Sequence, residues 1–176
     1  RRGAADWRLR RGPLPRRALP PLSQPAWTLL VQGVDGFSDA ARALLDRFRF
    51  VPDARLDDLM SSWASDGGGV GPHVDSYDVF LLQVQGRRQW RWAPPDGERL
   101  VEGAPLKLLA RFEPIEEALL EPGDLLYLPP GWGHDGVGVG ADCMTCSIGF
   151  RAPRRDEVAS ELLQRLAEEI GDDIVA

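Results

Sequence analysis

Hydrophobic and polar positions alternate over most of the chain. Trp27-Thr28-Leu29-Leu30-Val31 predicts a short strand. Ser38 stands as an N-cap before Ala41, Leu44, Leu45 and Phe48, whose spacing predicts a helix stopped by Pro52. Residues 59–65 read as a strand and run into the loop Gly67-Gly68-Gly69-Val70-Gly71-Pro72. The most regular alternation follows: residues 79–85, then Gly86, then residues 87–92, a pattern that predicts a hairpin turning at the glycine. Short strands are predicted over 106–109, 117–120, 125–128 and 144–150, with Gly/Pro turns at 94–97, 122–124 and 129–131. From Pro153 the period changes, and Val158, Leu162, Leu163, Leu166 and Ile170 recur at helical spacing. Many short strands with little helix argue for a mainly β fold, an antiparallel sandwich or barrel.

Composition narrows the options. The chain has 176 residues, enough for one domain with a sizeable core. No apolar run reaches the roughly 18 residues of a spanning helix, so no membrane association is expected. Two cysteines make neither a disulfide scaffold nor a four-cysteine zinc site. Two histidines, His73 and His134, are all that an imidazole-based metal site can draw on. The formal net charge is −6, yet residues 1–20 hold seven Arg and one Asp, so the remaining body carries −12. An acidic body argues against direct nucleic-acid binding and suits a basic partner protein. The expected divisions are a basic, proline-rich segment at 1–24, a catalytic domain at 25–152 and the start of a helical region at 153–176. That last helix must bury its stripe on the barrel, on a further domain or on a second subunit, so a homodimer through it is one expectation.

The chemistry-bearing pattern is His73-Val74-Asp75. In a strand, residues i and i+2 face one side, so imidazole and carboxylate project together. A barrel can return His134 beside them. Two imidazoles and one carboxylate on one face make the facial triad of non-haem iron oxygenases, a set that Mn, Co or Zn can also occupy. Arg88 shares its alternation face with Trp90 and Trp92. If it points into an aromatic interior it needs a carboxylate partner, which a dicarboxylic co-substrate would supply. If Arg87, Arg88 and Arg91 instead form a solvated strand face, it needs none; alternation leaves both readings open. The glycine-rich loop lacks the Gly-Lys-Ser/Thr of a phosphate cradle and reads as a flexible turn beside a site. Cys143 and Cys146, offset by three, fall on opposite strand faces and read as packed thiols rather than a redox pair.

Residues 69–83 (Gly-Val-Gly-Pro-His-Val-Asp-Ser-Tyr-Asp-Val-Phe-Leu-Leu-Gln) resemble the JmjC-type ribosomal oxygenases of the cupin superfamily. So do Gly86-Arg87-Arg88-Gln89-Trp90, residues 120–131 running into His134, and Ser147-Ile148-Gly149-Phe150-Arg151-Ala152-Pro153. The resemblance implies a double-stranded β-helix (the cupin jelly roll) with flanking helices and a C-terminal helix. It implies Fe(II), 2-oxoglutarate and dioxygen, with His73, Asp75 and His134 as metal ligands and Arg88 on the far carboxylate of 2-oxoglutarate. Thr145 and Ser147 match positions that add hydrogen bonds to the co-substrate. Tyr77, Asp78, Trp132 and Asp135 lie near the ligands as candidate substrate contacts. The implied reaction is 3-hydroxylation of an arginine in a basic large-subunit ribosomal protein of the L-sixteen type, in the cytoplasm. A protein demethylase on the same scaffold and a metal-free binding module are the alternatives.

Overall fold

The computed structural model describes residues 8–175 except 98, 105, 153 and 154. Arg1 and Arg2 of the basic segment therefore lie outside the described residues. The strands are β1 (Thr28–Val31), β2 (Leu56–Ala64), β3 (His73–Val74), β4 (Asp78–Ala93), β5 (Glu116–Leu120), β6 (Leu125–Leu128) and β7 (Gly133–Phe150). Two α-helices flank them, α1 (Asp39–Asp46) and α2 (Arg155–Val175). All strand pairs are antiparallel, in one sheet of order β1-β2-β7-β4-β5, with β3 on β7 and β6 on β4. The mainly β architecture is the one expected.

Two long strands organise the sheet. The first half of β4 pairs with β6 and with the second half of β7; its second half pairs with β5 and with the first half of β7. The expected hairpin at Gly86 is absent. The chain does not reverse there but bends, because both flanks find the same antiparallel partner. Gly86 has φ +61°, and a Cβ on it would lie 2.8 Å from the carbonyl oxygen of Asp142. The register breaks on both sides of it, between Gln83 and Arg87. This is a bulge, and it exchanges the faces of the residues that follow. The last strand likewise begins at Gly133, not near Met144, so His134 sits inside a strand.

The register assigns the faces. Phe80 and Ile148, directly paired, turn outward under α1 and pack with Leu45, Phe48, Leu59 and Phe150. Leu59 and Ile148 are 1% and 0% exposed, and burying side chains of this size contributes about 1.5–3 kcal/mol each. Val79, Leu81 and Gln83 turn the other way with Thr145 and Ser147. Past the bulge, Arg88, Trp90 and Trp92 lie opposite Gly138, Gly136 and His134 on one face.

Ser38 caps α1 as its side chain accepts from the Ala41 amide. The helix ends at Asp46, short of Pro52, and Arg49 then pairs with Asp46 and Asp53 in the turn that follows. Residues 106–109 form no strand: Leu108 and Leu109 make only isolated bridges, to His73 and Leu100. On α2, Val158, Leu162, Leu163, Leu166 and Ile170 are all exposed. No helix among the described residues is long and apolar enough to cross a membrane.

Candidate metal centre

The glycine-rich loop sets the site in place. A Cβ on Gly68 would lie 2.2 Å from the carbonyl oxygen of Trp27, and one on Gly69 would lie 2.4 Å from that of Gly136. Gly69 bridges Val137, the Gly67 amide donates to the Gly138 carbonyl, and the Gly138 amide donates to the Gly68 carbonyl. The loop is thus a close backbone approach to β7 rather than a free turn. It delivers β3 alongside β7 with His73 directly opposite His134. Asp75 falls one residue beyond β3, and its carbonyl accepts the Gly131 amide at 2.8 Å, which fixes the approach to β7.

The two imidazole rings lie 4.2 Å apart between centroids, and His134 Nε2 is 3.6 Å from Asp75 Oδ2. One ligand atom from each of His73, Asp75 and His134 can be taken so that all three lie within 4.8 Å of one another. Each Nδ1 donates to a carbonyl two residues back, His73 to Gly71 at 2.8 Å and His134 to Trp132 at 3.0 Å. A carbonyl only accepts, so the proton sits on Nδ1 and the Nε2 lone pair is left free. His134 is 3% exposed. Burial, and then the neighbouring His73, lower its pKa to about 4. At neutral pH it is uncharged, as a metal ligand must be. The donor set fits Fe(II) or another first-row divalent ion.

A cavity of about 250 Å³ opens on this cluster, lined by His73, Asp75, Tyr77, Val70, Leu106 and Lys107 among others. Burial and the Asp75 carboxylate push the Tyr77 phenol well above its ordinary range, so it remains a proton donor. Deeper on the same strand faces, Arg88 is 2% exposed. Its guanidinium lies over Trp90, 5.7 Å from the ring centroid, and the His134 ring is 6.0 Å from that same tryptophan. Arg88 donates to Cys143 Sγ at 3.3 Å and to the Ser62 carbonyl at 3.4 Å, and makes no ion pair among the described residues. Of the two open readings for the arginines, burial selects Arg88, while Arg87 is exposed.

The remaining candidates divide. Thr145 is 0% exposed, and its hydroxyl donates to Gln83 Oε1 at 2.6 Å. Ser147 is also buried on that wall. Trp132 is half-buried, and its carbonyl orients His134. Asp78 is held by Arg55 at 3.0 Å and by the Tyr127 hydroxyl at 2.7 Å. Asp135 is buried and paired with Arg91. Sequence reasoning missed Gln83, whose side chain joins Thr145 to Cys143. An amide at the third inward position after Val79 and Leu81 was the available signal. The two cysteines are free thiols, Cys143 buried and Cys146 half-buried, as expected.

Comparison with known proteins agrees with this geometry. Ribosomal protein uL16 3-hydroxylase of Escherichia coli (strain K12) is 43% identical over 159 residues, covering 88% of this chain and 41% of that protein. The X-ray structure of E. coli YcfD superposes with a TM-score of 0.80 at 40% identity, over 93% of this chain and 45% of that one. A structure of YcfD described as a ribosomal oxygenase, in complex with cobalt and 2-oxoglutarate, matches with a TM-score of 0.72 at 40% identity, over 90% and 40% of the two chains. The chain thus spans less than half the length of these relatives. The family model for the JmjC domain matches residues 43–158, and the chain belongs to the JmjC domain family.

Proposed function

We propose that this chain is the catalytic part of an Fe(II)- and 2-oxoglutarate-dependent oxygenase that 3-hydroxylates an arginine of a large-subunit ribosomal protein. The observation that carries this is a pair of sites in one interior. A triad of His73, Asp75 and His134 with free lone pairs is separated by the Trp90 ring from Arg88, a buried cation with no carboxylate partner among the described residues. An unpaired buried guanidinium is costly, and a dicarboxylic acid chelated at the triad would complete it through a bidentate fork.

When bound, iron and 2-oxoglutarate supply the oxidising chemistry that inserts one oxygen of O₂ into a C–H bond as the co-substrate becomes succinate and CO₂. The chain's own part is placement. His73, Asp75 and His134 would hold three positions and leave the others open. Arg88 would fix the far end of the co-substrate, with Thr145 and Ser147 on the adjoining wall. Trp90, with Arg88 on one side and His134 on the other, would border the space between. Tyr77 and Trp132 would border the incoming side chain; Asp78 and Asp135 already serve Arg55 and Arg91, so they contribute to the site's frame more than to substrate. The acidic body suits a basic substrate, and a cytoplasmic setting goes with a ribosomal one. We further propose residues 25–152 as the catalytic domain, 1–24 as a basic leading segment and 153–176 as the beginning of a helical, dimer-forming region.

The test is mass spectrometry of an arginine-containing uL16 peptide incubated with the protein, Fe(II) and 2-oxoglutarate. A gain of one oxygen atom on an unmodified peptide, with succinate formed in step, is expected. Loss of methyl from a methylated peptide instead would indicate a demethylase. Failure of the purified protein to bind any divalent metal would indicate a binding module.

A further inference from the structure

Behind Arg88 runs a buried polar chain in which Gln83 and Cys143 have no part in the chemistry described so far. Gln83, Cys143 and Thr145 are each 0% exposed. Gln83 Nε2 donates to the Gln85 carbonyl at 2.8 Å and to Cys143 Sγ at 3.5 Å, while its Oε1 accepts from Thr145. Both ends of the amide are therefore engaged and its orientation is fixed. Cys143 Sγ in turn accepts Arg88 Nε–H at 3.3 Å. The bend brings these groups together. Asp142 has φ +57° and Gly86 φ +61°, and their close contact turns Cys143 inward against the residue two past the glycine.

We propose that Cys143 is a positioning residue for Arg88. A guanidinium is planar, so holding Nε–H fixes the plane and aims the two terminal nitrogens. The choice of a sulfur matters. A carboxylate at this point would neutralise Arg88 and occupy its fork. A thiol is a weak, uncharged acceptor that orients the group and leaves its charge for a ligand. Gln83, locked by Thr145, holds the sulfur side of the contact. The inference rests on the reading of Arg88 as the anchor for the far carboxylate of 2-oxoglutarate.

The experiment compares wild type with Cys143→Ala, which removes the acceptor, Cys143→Val, which removes it while keeping more of the volume, and Cys143→Ser, which retains an acceptor. Two quantities are read: the 2-oxoglutarate Kd of the Mn(II)-loaded protein by calorimetry, and solvent exchange of the Arg88 Nε–H by ¹⁵N NMR without co-substrate, the signal being identified by its loss in Arg88→Lys. Removing the acceptor should weaken 2-oxoglutarate binding about tenfold, leave Mn(II) affinity unchanged and speed Nε–H exchange; serine should restore both. Unchanged exchange and affinity in the folded alanine or valine variant would overturn the proposal, as would a serine variant no better than they are. If the wild type binds no 2-oxoglutarate, the functional reading falls, and the exchange comparison still decides whether Cys143 holds Arg88.

Discussion

His73 and His134 are direct partners across the β3–β7 ladder, and their rings stand 4.2 Å apart. In each ring a backbone carbonyl takes Nδ1, so Nε2 is the atom left to a metal. The carbonyls are those of Gly71 for His73 and Trp132 for His134, and they orient the rings without using the second nitrogen. Substituting either histidine by alanine should cost more in divalent-metal affinity than the roughly 10–100-fold that follows loss of an outer hydrogen-bond partner. Titration with Mn(II) followed by calorimetry or EPR checks this. Wild-type affinity in His134→Ala would remove it from the ligand set.

Arg88→Met should separate stability from function. The apolar side chain removes an unpaired buried charge, so the metal-free protein should be as stable or about 1–2 kcal/mol more stable in urea unfolding. Mn(II) binding should persist, while added 2-oxoglutarate no longer raises Tm. A variant that unfolds far more easily than wild type would show that Arg88 is chiefly structural.

Acid should destabilise the metal-free protein through His134. Its folded pKa, about 4, lies below the ordinary value of 6.5. The unfolded chain therefore binds the extra proton first as pH falls. Stability from this group is complete above about pH 6.5 and is lost progressively toward pH 4. The slope over that window should flatten in His134→Gln, and identical slopes for variant and wild type would count against the assignment.

Gly69→Ala tests the loop. The added methyl would meet the Gly136 carbonyl at 2.4 Å, and backbone cannot yield as a flexible side chain does. Loop and β7 must part, moving His73 from its partner. Metal affinity should fall at least tenfold even though residue 69 offers no ligand atom, because ligand placement rather than ligand identity is disturbed. Gly97→Ala, in open surroundings but at φ +57°, controls for backbone strain alone and should leave metal binding intact.

The exposed stripe on α2 predicts self-association. Leu162, Leu163 and Leu166 are exposed, with no cover among the described residues, and contiguous exposed apolar surface marks an interface. Sedimentation should show a concentration-dependent dimer that Leu163→Glu with Leu166→Glu converts to monomer. Equal sedimentation of the double variant and wild type would place any dimer elsewhere.

Much of the fold was legible from local alternation. Strands β1, β2, β5 and β6 and the cap of α1 come within a few residues of expectation, since each is specified by its own side chains. The stretch around Gly86 was not. A glycine between two alternating runs looks the same whether the chain reverses or merely bends. The outcome is decided by β7, which is distant in sequence and long enough to pair with both flanks. The glycine-rich loop misled in a similar way: its lack of side chains signals freedom locally, but close approach to Trp27 and Gly136 in the folded protein.

By itself, the sequence determined that only two histidines are available, that His73 and Asp75 are spaced to project together, and that the family motifs surround them. These are properties of composition and short spacing. The family motif pointed to Arg88, but alternation left the buried arginine open and the tertiary structure decided it. Val79, Leu81 and Gln83 face inward at odd positions, and a regular strand would have continued with Arg87 and Arg91. The bulge at Gly86 shifts the parity, so Arg88 and Trp90 turn in instead. Strand faces have a period of two, and one extra residue therefore reverses every side chain that follows. That reversal needs a partner strand to define it, and no stretch of sequence contains its own partner.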